Sequence, residues 1–183
     1  MTVPTIDERD ELLLSCRYGE LEEVQQFVEK YGKEIVSDIK DENGNTVLHM
    51  VSGNGHLEVL NYLLTIVSPS IIGVLNNSRS SPLHWAALNS HLAVAKTLVE
   101  FPGGPGVDLI DIKNDAGRTP LGEAEMAGWD EGARWFVEVM KLDEKADPED
   151  ELRLADSVED IEVEIEDANG EIARMSISRH EGP

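Results

Sequence analysis

Apolar residues recur at three- and four-residue steps along this chain: Leu57, Leu60, Leu63 and Leu64 in one segment, Leu92, Ala95, Leu98 and Val99 in a later one. That period is helical and gives each segment one apolar stripe. Each segment follows a shorter apolar stretch, so the pattern predicts helix pairs. Aligning NGNTVLHMVSGNGHLEVLNYLL from Asn43 with NSRSSPLHWAALNSHLAVAKTLV from Asn77 and NDAGRTPLGEAEMAGWDEGARWFV from Asn114 gives three copies of one unit; ERDELLLSCRYGELEEVQQFV from Glu8 is a degenerate further copy at the start. Leu12, Leu48, Leu83 and Leu121 share one slot, at separations of 36, 35 and 38 residues. Such a period marks a stacked array, because one helix pair cannot bury its own apolar face and must lean on its neighbours.

Each unit has coded helix boundaries. Thr46, Ser81 and Thr119 supply the short hydroxyl of an N-cap, and Pro82 and Pro120 follow at the first helical position, where a missing N–H costs nothing. Gly55 and Gly128 fall where the first helix must stop and turn. The first copy has Asp10 and Glu11 in place of the Thr-Pro start, and the third has Arg79 where Gly44 and Gly117 stand and Ser90 where Gly55 and Gly128 stand. If those slots require positive φ, the third unit carries mild backbone strain; a different turn type is the alternative. FPGGPGVDLID, before the fourth unit, is a long Gly- and Pro-rich connection, where local mobility is expected.

These motifs resemble the ankyrin repeat. Gly44, Thr46, Leu48, His49, Gly55 and His56 keep its pattern in the second copy, and Pro82, Leu83, His84, Ala86, Ala87 and His91 in the third. The resemblance implies an all-α solenoid of four helix-pair repeats over residues 1–142. It also gives His49, His56, His84 and His91 a structural use, in hydrogen bonds between loops and helices, rather than a metal site. Ankyrin arrays bind with their concave side. Carried over slot by slot, the partner-binding positions are Arg17 and Tyr18; Glu42, Asn43, Asn45 and Asn54; Asn77, Ser78, Leu88 and Asn89; and Asp115, Arg118, Glu123 and Met126. Trp85, on the first helix of the third repeat, divides between core and binding surface.

Charge and composition add a second feature. The chain has 183 residues and a formal net charge of −22. From Asp143 to Glu171, fourteen acidic residues against Lys145 and Arg153 supply −12 of it. Such acidity repels nucleic acid and anionic membrane and favours a basic partner, with fast, salt-sensitive encounter. A dense block at one end fits an interaction tail as well as it fits plain solubility. The single cysteine, Cys16, excludes an intramolecular disulfide and sits in an Ala-Ala slot as a small core residue. The N-terminal MTVPTIDERDELLL lacks a basic n-region and a long apolar run, as expected of a soluble intracellular protein. No Cys-x-x-Cys, phosphate loop or nucleophile elbow is present, so neither an enzyme nor a cofactor is expected.

Residues 143–183 form an acidic extension in which residues 161–177 alternate apolar and polar positions on both sides of a turn. A four-residue turn from Asp167 to Gly170 predicts a hairpin in which Ile165 faces Ala173, Val163 faces Met175 and Ile161 faces Ile177. A lone hairpin is marginal in water, which leaves three outcomes: docking on the repeats, pairing with a partner, or remaining mostly unfolded when free.

Leu-His-Trp-Ala at Leu83 to Ala86, Glu-Ala-Glu at Glu123 to Glu125, Asp-Pro-Glu-Asp at Asp147 to Asp150 and the acidic extension together resemble the fungal ankyrin-repeat chaperones dedicated to the KH-domain protein, the third, of the small ribosomal subunit. The resemblance implies a cytoplasmic and nuclear escort, a monomer before binding, that shields a very basic RNA-binding protein before ribosome assembly without itself touching nucleic acid or membrane. Asp147, Glu149, Asp150 and Glu151 then join the partner-binding set. Two rivals remain: an inhibitor of a kinase or transcription factor acting through the concave face alone, and a scaffold that only tethers.

Overall fold

The computed structural model describes residues 3–144, 162–166 and 172–176. They fall into two compact units, Met1–Met140 and Lys141–Pro183.

The first unit holds the four expected helix pairs: α1 (Ile6–Tyr18) with α2 (Leu21–Tyr31), α3 (Val47–Asn54) with α4 (Leu57–Leu64), α5 (Pro82–Leu88) with α6 (Leu92–Val99), and, after the short α7 (Asp108–Asp111), α8 (Pro120–Met126) with α9 (Asp130–Glu144). First helices stack on first helices, α1 on α3, α3 on α5 and α5 on α8; second helices α2, α4 and α6 form the adjoining layer. The repeated leucine slot lies at the centre of the stack. Leu12, Leu48 and Leu83 are buried there, each worth about 1.5–3 kcal/mol over an exposed position. Leu121, in the last copy, is only half-buried because no further repeat covers it among the described residues. Phe136 closes that end, with the rings of Trp129 and Trp135 against it.

The first copy has a helix start that its missing Thr-Pro concealed. Helix α1 begins at Ile6, before Asp10, on a reciprocal cap in which the Glu8 N–H donates to the Thr5 hydroxyl and the Thr5 N–H donates to the Glu8 carboxylate. Each inter-repeat connection also coils into a helical turn: 3₁₀ over Val36–Asp38 and Pro69–Gly73, and α7 in the connection expected to be mobile. Val36, Ile71 and Leu109 point from these turns into the core.

Arg79 and Ser90 are left-handed, with φ of 56° and 63°, matching Gly44 and Gly55 at 76° and 77°. The slots therefore do require positive φ, and the third repeat carries the strain.

In the second unit, β1 (Glu162–Glu166) pairs antiparallel with β2 (Ile172–Ser176), Val163 opposite Met175 and Ile165 opposite Ala173, as the alternation predicts. The predicted Asp167–Gly170 turn and the Ile161 and Ile177 pair lie outside the described residues.

Candidate partner-binding surface

Three turn tips, one before each of α3, α5 and α8, are built alike. A side-chain oxygen of Asp41, Asn76 or Asn114 accepts the backbone N–H groups two and four residues on, at 2.7–3.0 Å. This is the Asx turn, the local habit that makes Asp and Asn turn residues. The tips are then laced together. The Asn77 N–H donates to the Asn43 carbonyl at 2.9 Å, and the Asp115 N–H to the Ser78 carbonyl at 3.0 Å.

Four imidazoles tie the repeats in both directions. At the starts of α3 and α5, Nδ1 of His49 or His84 accepts the N-cap backbone N–H at 3.1 Å, which leaves Nε2–H to donate forward to the Ser80 carbonyl at 2.9 Å or the Arg118 carbonyl at 3.1 Å. His56 and His91, before α4 and α6, place Nε2 on carbonyls of the preceding repeat, Arg17 at 2.8 Å and Gly53 at 3.2 Å. The expected structural role of these histidines is thus observed. Burial holds His49 down at about 4 and also lowers His84, so both rings stay neutral.

On this scaffold Arg17, Glu42, Asn43, Asn54, Asn77, Ser78, Asn89, Asp115 and Arg118 are exposed along the tips and the ends of the first helices. Asn54 and Asn89 donate their amides to the Met50 and Trp85 carbonyls of their own helices, which fixes their direction. Three apolar anchors stand among them: Tyr18 at 65% exposure, Leu88 at 52% and Met126 at 72%. Trp85 is half-buried, edge-on to His49 and over Gly53, where an added Cβ would fall 2.7 Å from the indole. Gly53 is what lets the indole lie flat. Sequence reasoning did not single it out, nor Leu14, which is 46% exposed in the slot that Trp85 fills two repeats later.

Two expected binding residues leave the accessible surface. Asn45 is buried because its amide donates to Asp41 while its carbonyl accepts from Asn76. Glu123 is buried between Asn114 Nδ2, at 2.6 Å, and Arg118 Nε, at 3.0 Å. Both use their polar atoms to fasten one turn tip to its surroundings. Asp147, Glu149, Asp150 and Glu151 lie outside the described residues.

Cys16 and Glu8 serve the scaffold. Burial pushes the Cys16 thiol up to about 12, which makes it an inert core group. Glu8 accepts from Tyr31 and Lys30, and chiefly the Tyr31 hydroxyl holds its carboxyl down at about 2. Among the described residues, no helix is long and apolar enough to cross a membrane.

Comparison with known proteins agrees with this architecture. A model of ankyrin repeats in three copies matches residues 12–109. An ankyrin repeat-containing protein of Schizosaccharomyces pombe is 33% identical, the match covering 81% of this chain and 98% of that protein. The ankyrin repeat-containing protein YAR1 of Saccharomyces cerevisiae is 30% identical over 79% of this chain and 75% of its own length. Among solved structures, a chain of the yeast ribosomal protein Rps3 in complex with its chaperone Yar1 superposes with a TM-score of 0.69 at 28% identity, over 74% of this chain and 95% of that one. With three repeats matched over more than half its length and a relative 33% identical over 98% of that protein, this chain belongs to the ankyrin-repeat family.

Proposed function

We propose that this protein is a dedicated chaperone that binds and shields a basic, KH-domain-type ribosomal protein of the small subunit before its assembly. One observation carries the reading: the structural match to the Rps3–Yar1 complex, which spans 95% of the matched chain and is paralleled by 30% identity to YAR1. The surface chemistry supports it. A chain with net charge −22 offers carboxylates to the Lys and Arg groups that would otherwise find RNA. Tyr18, Leu88 and Met126 supply apolar anchors among polar tips, the arrangement in which a few buried residues carry most of the affinity. Holding a partner in this way needs no catalysis, so a non-enzymatic role in cytoplasm and nucleus is part of the proposal. These matches do not favour the inhibitor and scaffold readings.

Copurification from lysate at low and high salt tests the proposal. The expected outcome is recovery of the KH-domain ribosomal protein at low salt and its loss as salt rises. A kinase or transcription factor retained at high salt would overturn it.

A further inference from the structure

The concave face is not the sole surface that suits a basic partner. On the far side of α1 from α3, a groove of 560 Å³ runs between α1 and α2. That volume accepts about one turn of a helix roughly 10–12 Å across. Buried Leu12, Phe27 and Tyr31 line it beside Ser15, and Leu14 and Tyr18 are its exposed apolar residues. Its walls carry Glu11, Glu20 and Glu23, all exposed and none in an ion pair among the described residues. The one cation on its rim, Lys30, is already held by Glu8 at 3.0 Å. The groove is therefore amphipathic, with unspent negative charge.

Charge decides the occupant. A second copy of this chain, at −22, and its own extension, at −12 from Asp143 to Glu171, would both be repelled. A helical segment of a partner protein with an apolar stripe flanked by Lys and Arg satisfies both floor and walls, and Tyr18 belongs both to this groove and to the partner-binding set above.

We infer that the α1–α2 groove is a second docking site, which receives a basic amphipathic helix of the same protein that the concave face holds. The inference rests on the functional reading above and adds a location to it. Two contacts on one ligand make the second intramolecular, so the groove strengthens retention out of proportion to its size.

Titration of the full chain with purified yeast Rps3 by calorimetry tests the site, with thermal unfolding to verify each variant. The variant Glu11→Gln/Glu20→Gln/Glu23→Gln is expected to bind about tenfold more weakly at 150 mM NaCl, as three lost exposed ion pairs predict, and to differ little from the unaltered protein at 500 mM. A control, Glu34→Gln/Glu58→Gln/Glu100→Gln, removes equal charge elsewhere and is expected to change affinity less than twofold. If the groove variant binds like the unaltered protein while Leu88→Ser/Met126→Ser binds weakly, the groove is overturned and the chaperone reading stands. Equal weakening by the control also overturns the groove, since general acidity then suffices. Failure of the unaltered chain to bind Rps3 overturns the functional reading and the groove with it.

Discussion

The second and third repeats have the same backbone and opposite faults. The second has glycine in both left-handed slots, Gly44 and Gly55, but Ser52 lies fully buried on α3 with its hydroxyl unpartnered. The third has Ala87 at the slot of Ser52, yet places Arg79 and Ser90 in the left-handed slots. Identical geometry from unlike residues means that stacking sets these turns, with local preference overruled. The next repeat then decides which residues a slot tolerates. An added Cβ on Gly55 would fall 2.6 Å from Nδ1 of His91, and one on Gly19 2.5 Å from Nδ1 of His56. In the fourth repeat Trp129 takes the slot that His56 and His91 fill in the repeats before it, and its ring lies over Gly132 in α9. Ser90 faces no imidazole from the fourth repeat and keeps its side chain.

The largest test of this contrast is Gly55→Ala against Ser90→Ala. At Gly55 a left-handed alanine costs about 1–2 kcal/mol, and displacing His91 from the Gly53 carbonyl costs about 1 kcal/mol more. A loss of about 2–3 kcal/mol in urea unfolding is expected for Gly55→Ala, and no resolvable change for Ser90→Ala, which exchanges one left-handed side chain for another. Equal losses at the two sites would mean that φ alone governs the slot and the imidazole contact is irrelevant.

Acid should separate the two repeats next. The unfolded chain protonates His49 near its ordinary 6.5, whereas the folded ring resists until about 4. Its contribution to stability is therefore intact above pH 6.5 and is lost as pH falls through that window. At pH 5 the deficit is about 2 kcal/mol, at 1.36 kcal/mol per pH unit. His84 moves in the same direction. The urea midpoint of the unaltered protein is expected to fall from pH 7 to pH 5, and His49→Leu to lower stability at pH 7 while flattening that fall. An unchanged pH profile in His49→Leu would remove His49 as the acid-sensitive group.

Much of this was legible before the structure. Repeat spacing, caps and the His slots located every helix pair, and the alternation of the extension set the register of its strands. The misses have physical causes. Thr5 and Glu8 form a plain capping box, but it lies ahead of Asp10, where the repeat register places the helix start. Val36, Ile71 and Leu109 each stand five residues before Asp41, Asn76 and Asn114, a recurrence that marks the connecting turns. Slot alone places Asn45 and Glu123 at the surface, yet both have polar neighbours close enough to draw them inward. A slot tells where Cβ points; hydrogen-bond partners determine where the functional group ends.

Ser52→Ala repairs the second repeat with the residue that the third already uses. Removing a buried, unpartnered hydroxyl is expected to stabilise by about 1 kcal/mol, because the unfolded chain alone was hydrating it. Ala87→Ser should transfer the same fault to the third repeat. Thermal unfolding of the pair checks this; a destabilised Ser52→Ala would mean that the hydroxyl has a partner.

The smallest effect concerns the strained turns. Arg79→Gly and Ser90→Gly each relieve about 1–2 kcal/mol of left-handed strain, but glycine also frees the unfolded chain and returns about 0.4–1 kcal/mol of the gain. A net stabilisation of about 0.5–1 kcal/mol each is expected by urea unfolding. Arg79 is the cleaner site, since it lies exposed on a tip whose Asx turn and inter-repeat links use backbone atoms and the side chains of Asn76 and Asn77, not that of Arg79. If Arg79→Gly destabilises, the arginine side chain contributes more than its backbone costs, and the tip before α5 is held by a side-chain interaction in addition to the neighbours on either side of it.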